Sequence, residues 1–310
     1  MSRPDANTHA MRPDADQAQR WVRLIVNPIS GVEAGTLALP LIVTALEAAG
    51  MQVVISFVGN GKPPDTIAAD AVRAGYDLVV AVGGDGTVSS VARGMLQSTV
   101  PLGIIPLGTY NNIARSLGIP FDLDGALQNL IDGTPRMIDT ALANGRMFME
   151  VAGVGIDARL FPVAEEIKRG AWHQVATAVR SLRYFRPRKV RIELADGTRF
   201  IARPLMALVS NMPYFGVGFA IAPHARPDSG DLTLSLFQHF TKLELLQYFA
   251  LIANGRAVHE PRIETYTSPR IKISVTTRPP VRVQADGLIV GKTPLVCEVV
   301  PQALKVLAPL

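Results

Sequence analysis

An α/β domain with a mostly parallel sheet, followed by a mainly antiparallel β-sandwich, is the fold class that this sequence predicts. Three observations carry it. The first half alternates strand-like and helix-like segments. Near residue 136 the pattern changes to short strands with Asn-Gly and Asp-Gly punctuation. The chain's 310 residues are about twice a typical domain of roughly 150 residues.

The elements follow in order. Residues 1–20, "MSRPDANTHAMRPDADQAQR", have no apolar core segment and read as a disordered tail rather than a signal peptide. "WVRLIVNP" is a strand, "LALPLIVTALEAAG" a helix, "MQVVISFV" a strand, and "PPDTIAADAVRAG" a helix starting near Pro64 and Asp65. "YDLVVAV" is a strand, "TVSSVARGMLQ" a helix, "PLGIIPL" a strand and "YNNIARSLG" a short helix. Such alternation needs crossovers, so the sheet is mostly parallel and covered on both faces. The α/β domain then spans 21–135 and the sandwich 136–310, and whether the last strand stays in the sandwich or returns to the first domain is left open by the sequence. In the second half, Asn144-Gly145 and Asp196-Gly197 each separate two strands, as tight hairpin turns do.

Composition excludes several classes. The chain is 48% hydrophobic and 18% charged, with a formal charge of +5, too small to argue for nucleic acid. Cys297 is the only cysteine, which rules out an internal disulfide framework and a multi-cysteine metal site, and suits a reducing cytosol. The five histidines have no metal-ligand spacing. No uninterrupted apolar run of about 18 residues occurs, so membrane contact is expected to be peripheral.

"AVGGDGTVSS", residues 81–90, raises the functional question. Ligands of open parallel sheets bind beyond the C-terminal ends of the strands. Glycines there let backbone N–H groups approach phosphate oxygens, and a helix starting near Thr87 offers unpaired donors and a positive dipole end. Asp85 suits Mg²⁺ held against those phosphates. A plain strand-to-helix turn has the same composition. Two more loops, "NPISG" at 27–31 and "PLGTYNN" at 106–112, fall at strand ends of the same sheet and are expected to converge with it on one crevice. Neither G-x-G-x-x-G nor G-x-x-x-x-G-K-[ST] occurs at these loops.

Together "NPISG", "VVAVGGDGT", "PLGTYNNIARSLGIP", "GVGIDA", "FGVGFAIAPHARPDSG" and "VQADG...TPL" resemble the bacterial diacylglycerol-kinase-like lipid kinases over nearly everything after residue 22. The resemblance implies an ATP-binding N-terminal domain, a C-terminal β-sandwich, Mg²⁺, and a lipid hydroxyl as acceptor in the cleft. It also implies nucleotide-binding roles for Asn27, Gly83, Gly84, Asp85, Gly86, Thr87 and Thr109. Three positions depart from the family pattern. The usual "GT-x-Asn-Asp" ends here in Asn112. The "Asp-Gly-Glu" loop reads "ADGL", so Leu288 replaces the glutamate treated as proton acceptor. An accessory Mg²⁺ loop, usually containing "Asp-Asp-Gly", reads "PDSG" with Ser229. Asp286 is then the remaining acid of the last glycine loop and the candidate catalytic residue, unless Asp286-Gly287 is only a hairpin turn.

Residues 165–189 read as a helix with Arg169, Trp172, Arg180 and Arg183 on one face, which suits an anionic bilayer or simply solvent. Two other functions remain open: an NAD-kinase-like soluble nucleotide kinase, from the shared "GGDGT", and a lipid- or nucleotide-binding protein with little catalysis.

Overall fold

The computed structural model describes residues 19–28, 32–59, 61–155, 185–216, 218–253, 260 and 262–309. The expected tail, most of the basic helix at 165–189, Ile29 to Gly31 of "NPISG" and the "IDA" of "GVGIDA" lie outside these residues. So does most of "NGRAVHEPRIE", read from sequence as a helix end leading into a strand. The chain divides into two compact units, residues 1–109, 120–136 and 305–310 in the first, and residues 110–119 and 137–304 in the second.

The first unit is the parallel one. Strands β1 (Arg20–Val26), β2 (Met51–Phe57), β3 (Leu78–Gly83) and β4 (Leu102–Pro106) lie in the order β2-β1-β3-β4, all parallel. Helices α1 (Val32–Ala48), α2 (Pro64–Arg73) and α3 (Asp85–Gly94) follow β1, β2 and β3, and α5 (Leu123–Asp132) belongs to the same unit. The central strands β3 and β4 are buried at every position, while β2 at the edge alternates. That difference follows from covering a sheet on both faces. Val22, Leu24, Val80, Val82 and Ile105 pack with Ile42, Leu46 and Leu130 in the core.

Helix α3 differs from its sequence reading. It begins at Asp85, because the Gly84 carbonyl accepts from the N–H groups of Thr87 (2.9 Å) and Val88 (3.0 Å) and Gly84 becomes the N-cap. Asp85 therefore sits in the first turn, where an acid favours the positive end of the helix dipole. The helix ends at Gly94, short of the expected Gln97. Gly94 packs against α2 so closely that a Cβ would lie 2.0 Å from the Asp65 carbonyl oxygen, and Gln97 has φ +59°.

The second unit holds a short helix, α4 (Asn112–Ser116), and two antiparallel sheets. One contains β15 (Arg270–Val275) between β8 (Val190–Leu194) and the first part of β18 (Leu295–Ala308), with β9 (Arg199–Ala202) beside β8. The other runs β14-β13-β10-β7-β16-β17: Ile263–Ser268, Leu232–Phe237, Met206–Ser210, Val151–Gly155, Arg282–Ala285 and Leu288–Lys292. The core draws Ile192 and Ile271 from one sheet and Val154, Val209 and Leu234 from the other, which makes a sandwich. Cys297 is buried in this core, and burial pushes its thiol well above the usual range.

Strands β5 (Thr134–Ala143) and β6 (Arg146–Phe148) meet at Asn144-Gly145, where both residues have positive φ (+51° and +82°) as a two-residue turn requires. The turn at Asp196-Gly197 is not of that kind. Only Gly197 (φ +90°) is left-handed, and the Asp196 carboxylate instead accepts from Thr198 N–H and Oγ1–H, stabilising a longer loop.

Helix α6 (Lys242–Ala253) opens with a reciprocal cap: Thr241 N–H donates to Glu244 Oε2 (2.7 Å) and Glu244 N–H to Thr241 Oγ1 (3.2 Å). The Thr241 bonds, then Arg262, lower the Glu244 carboxyl to about 2. A depressed carboxyl stabilises the fold above its unfolded value of about 4.3 and loses that contribution as pH falls through the folded value. Glu244→Ala should therefore lower Tm at pH 7, with the gap to the parent closing between about pH 4 and pH 2. Thermal melts across that window check this, and a gap unchanged at pH 2 contradicts it.

Candidate functional site

In the first unit, three strand-end segments meet around the start of α3. Asn27 leaves β1 with its N–H bonded to the Val82 carbonyl (3.0 Å), and its side-chain Nδ2 donates to Thr87 Oγ1 (2.9 Å). Leu107, after β4, donates its N–H to the Gly83 carbonyl (3.1 Å). The glycines are needed for close approach rather than for unusual dihedrals. A Cβ on Gly83 would lie 2.9 Å from Thr87 Oγ1, and one on Gly84 would lie 3.0 Å from Gly108 Cα. A Cβ on Gly86 would meet nothing within 4 Å. Space beside the first turn of α3 is therefore open at Gly86, with helix N–H groups nearby, which is the arrangement that takes an anion. Thr109 is exposed at the end of the third segment.

Next to this cradle lies a cavity of about 190 Å³ lined by Val26, Asn27, Leu39, Phe57, Val82 and Leu107, among others. It is small beside the roughly 300–1,000 Å³ of drug-sized sites. Phe57 and Leu39 were not singled out from sequence. Phe57 stands at the end of an edge strand with its ring 42% exposed, and its place at the close of the run "MQVVISF" was the sequence signal.

In the second unit, Asp286 and Gly287 do form the hairpin turn between β16 and β17, with φ of +44° and +75°. The aspartate does more than turn the chain. Its Oδ2 accepts from Met149 N–H (2.9 Å), and its Oδ1 from Glu150 N–H (2.9 Å) and Val151 N–H (3.2 Å). Three amides thus hold a half-buried carboxylate in one orientation. Glu150, fixed at its backbone by Asp286, is 5% exposed, and its Oε2 accepts from Asn112 Nδ2 (3.1 Å). Asn112 Nδ2 also donates to the Gly216 carbonyl (2.9 Å). Burying an acid costs free energy unless its surroundings compensate, so an acidic side chain kept in such a place is a candidate for function. Glu150 escaped the sequence reading, although a lone acid inside the apolar run "RMFMEVAGVG" was visible.

The residues suit a nucleotide-associated Mg²⁺ and do not suit the accessory loop ion. Mg²⁺ typically uses one or two carboxylates plus substrate phosphates, and Asp85 beside the open cradle offers the first of these. In "RPDSG" the donors are engaged otherwise. Arg226 grips Asp228 through Nε–Oδ1 (3.0 Å) and Nη2–Oδ2 (3.2 Å). Ser229 Oγ bonds the Arg226 carbonyl (2.9 Å), and Gly230 N–H donates to the buried Asp139 (2.7 Å). Among the described residues no three or more His, Cys, Asp or Glu are grouped so as to hold a metal ion. Magnesium chloride without nucleotide should accordingly leave Tm unchanged to within about 1 °C. A rise of several degrees, reversed by chelator, would show that an ion binds the loop after all.

Residues 21–143 match the diacylglycerol kinase catalytic domain, and residues 150–308 match the YegS C-terminal NAD kinase beta sandwich-like domain. A diacylglycerol kinase of Mycobacterium tuberculosis is 31% identical over 93% of this chain and 95% of its own, and one of Bacillus subtilis 29% identical over 88% and 91%. The chain spans 55% of the length of an uncharacterized Synechocystis protein, sll0036, to which it is 30% identical over 76% of its own length. Among solved structures, a diacylglycerol kinase from Bacillus anthracis has a similar fold, with TM-score 0.74 at 23% identity over 94% of this chain and 98% of that one. Yeast NADH kinase is more distant, with TM-score 0.54 at 13% identity over 95% and 85%. A parallel unit with a glycine cradle at a helix start, an antiparallel sandwich with an anchored aspartate, and matches along both halves lead to one assignment: the chain belongs to the diacylglycerol kinase family of lipid kinases.

Proposed function

We propose that the protein transfers the γ-phosphoryl group of ATP to a hydroxyl of diacylglycerol or a related lipid, working as a peripheral protein at a membrane surface and feeding phospholipid synthesis. The space left open at Gly86 in the first turn of α3, beside close-packed Gly83 and Gly84 and the Asn27–Thr87 bond, is the observation that carries this reading. Among the described residues no helix is long and apolar enough to cross a membrane, so the lipid is met at the surface. The lone buried cysteine suits a reducing, cytoplasmic setting.

Phosphoryl transfer asks the protein for positioning and charge stabilisation rather than covalent chemistry. Helix N–H groups at residues 85 and 86 hold phosphate oxygens, Thr109 adds a hydroxyl, and the Phe57 cavity takes the base. Asp85 would hold Mg²⁺, which when bound neutralises charge on the phosphates. The bond from the γ-phosphorus to the bridging oxygen of ADP breaks as the lipid oxygen bonds to phosphorus, and the hydroxyl proton leaves. Asp286 orients that hydroxyl and receives its proton, preorganised by the amides of 149–151, while buried Glu150 fixes the same backbone to Asn112. With labelled ATP, Mg²⁺ and diacylglycerol in mixed micelles, label should enter the lipid phase only when nucleotide and metal are both present. Transfer undiminished by chelator, or no transfer to any lipid, would refute the proposal.

A further inference from the structure

Strands β16 and β17 form a hairpin whose surface chemistry is not accounted for by its turn. β17 is the last strand of its sheet, so one edge of its backbone has no strand neighbour within that sheet. Leu288 and Ile289, directly after the turn, are 51% and 40% exposed. Exposed apolar side chains on an edge strand invite unwanted pairing unless they have a use. Behind them, Arg282 and Lys292 lie directly opposite each other in the ladder. Like charges so placed are destabilising by themselves. Arg278 is exposed and lines the same cleft as Thr293 and Pro294, beside Lys292. From Thr276 to Pro294 the only acid is Asp286, and its carboxylate is turned onto the amides of 149–151. The hairpin thus has an apolar tip on a base of three cations.

We infer that the β16–β17 hairpin docks on an anionic lipid bilayer, Leu288 and Ile289 entering the interface while Arg278, Arg282 and Lys292 meet the headgroups. The inference rests on the lipid-kinase reading and adds where the membrane is met. A bilayer fits better than a second copy of the chain. The ladder shifts register between Val283 and Gln284, leaving Val290 as an extra residue, and such a bulge twists an edge away from strand addition. The opposed cations would also repel a copy of themselves, whereas an anionic surface relieves them. Docking here would also bring the surface next to the turn that carries Asp286, where an acceptor hydroxyl has to arrive.

Co-sedimentation of the full chain with phosphatidylcholine vesicles, with and without phosphatidylglycerol, tests this. Parent protein should bind the anionic vesicles and release as salt rises. Arg282→Gln with Lys292→Gln should weaken that binding by about 25-fold, roughly fivefold per cation, with Tm equal to or above the parent's because the opposed charges are gone. Leu288→Ser with Ile289→Ser should weaken it by a comparable amount while keeping the salt dependence. On a short-chain diacylglycerol below its micellar concentration, the cation variant should turn over as the parent does. Parent-like vesicle binding by both double variants overturns the inference even if lipid is phosphorylated. Concentration-dependent self-association that both variants abolish, with no vesicle binding, assigns the hairpin to a second copy and also overturns it. Loss of vesicle binding in the variants, with no phosphorylation of any lipid by the parent, supports the docking surface and removes the kinase reading instead.

Discussion

Asp85→Ala should lower phosphoryl transfer by at least ~10²–10³-fold with every acceptor, the scale of removing one preorganised charge-stabilising group from a transition state. The carboxylate stands in the first turn of α3, next to the opening at Gly86. Its loss removes the side chain proposed to hold the metal. A companion substitution separates ligand contact from packing. Gly84→Val would drive a branched side chain towards Gly108 Cα, so a loss of ATP binding there could come from the protein alone. Gly86→Ala meets no protein atom. Replacing glycine by alanine in a helix at an unstrained position usually stabilises by about 0.4–1 kcal/mol. The expected result is a Tm equal to or above the parent's, together with weakened ATP binding, because the new methyl group occupies the space assigned to phosphate. Calorimetric titration with ATP checks it. Parent-like affinity in Gly86→Ala and parent-like turnover in Asp85→Ala would reduce the segment to an ordinary strand-to-helix turn.

Asp286→Asn should lower turnover by about 10² or more, the lower end of what a general base contributes. The substitution is not a pure test of charge. Both carboxylate oxygens accept backbone N–H bonds, and an amide offers one oxygen and one NH₂, so the NH₂ would face an N–H donor at Met149 or at Glu150 and Val151. A lower Tm is therefore expected as well. The pH profile separates the two effects. If Asp286 receives the proton, the acidic limb of the parent's kcat profile disappears in Asp286→Asn, while KM for ATP changes little. A variant that is slower at every pH but keeps that limb would make Asp286 a positioning residue only. Glu150→Gln is the control, since it retains an acceptor for Asn112 Nδ2 while removing the titratable group. Should that variant lose the limb instead, the proton goes to Glu150.

The parallel half of the fold was legible because its signals are local. The unbroken apolar runs of β3 and β4 are buried at every position, and Pro64 and Asp65 open α2 where expected. Boundaries failed where a tertiary contact overrode the local pattern, as at Gly94 against Asp65 in α3. The candidate site was legible as glycines and acids but not as partnerships. Asn27 reaches Thr87 across 60 residues, Asn112 reaches Glu150 across 38, and Asp286 reaches the amides of 149–151 across about 136. Such pairs depend on which strands become neighbours, and no spacing within a single segment encodes them. The same holds for "PDSG": Ser229 was visible as a departure, but the Arg226 grip on Asp228 that occupies the loop's carboxylate was not inferred.

The central claim, a kinase whose acceptor is a lipid hydroxyl, is tested most directly by competition between acceptors. The full chain would be given labelled ATP and Mg²⁺ with mixed micelles of diacylglycerol and an equal concentration of NAD in the same tube, then partitioned between organic and aqueous phases. Label is expected in the organic phase as phosphorylated lipid, with none on NAD. Phosphorylated NAD without phosphorylated lipid would contradict the account in favour of a soluble nucleotide kinase, and ATP binding without transfer to either would reduce the protein to a binding one.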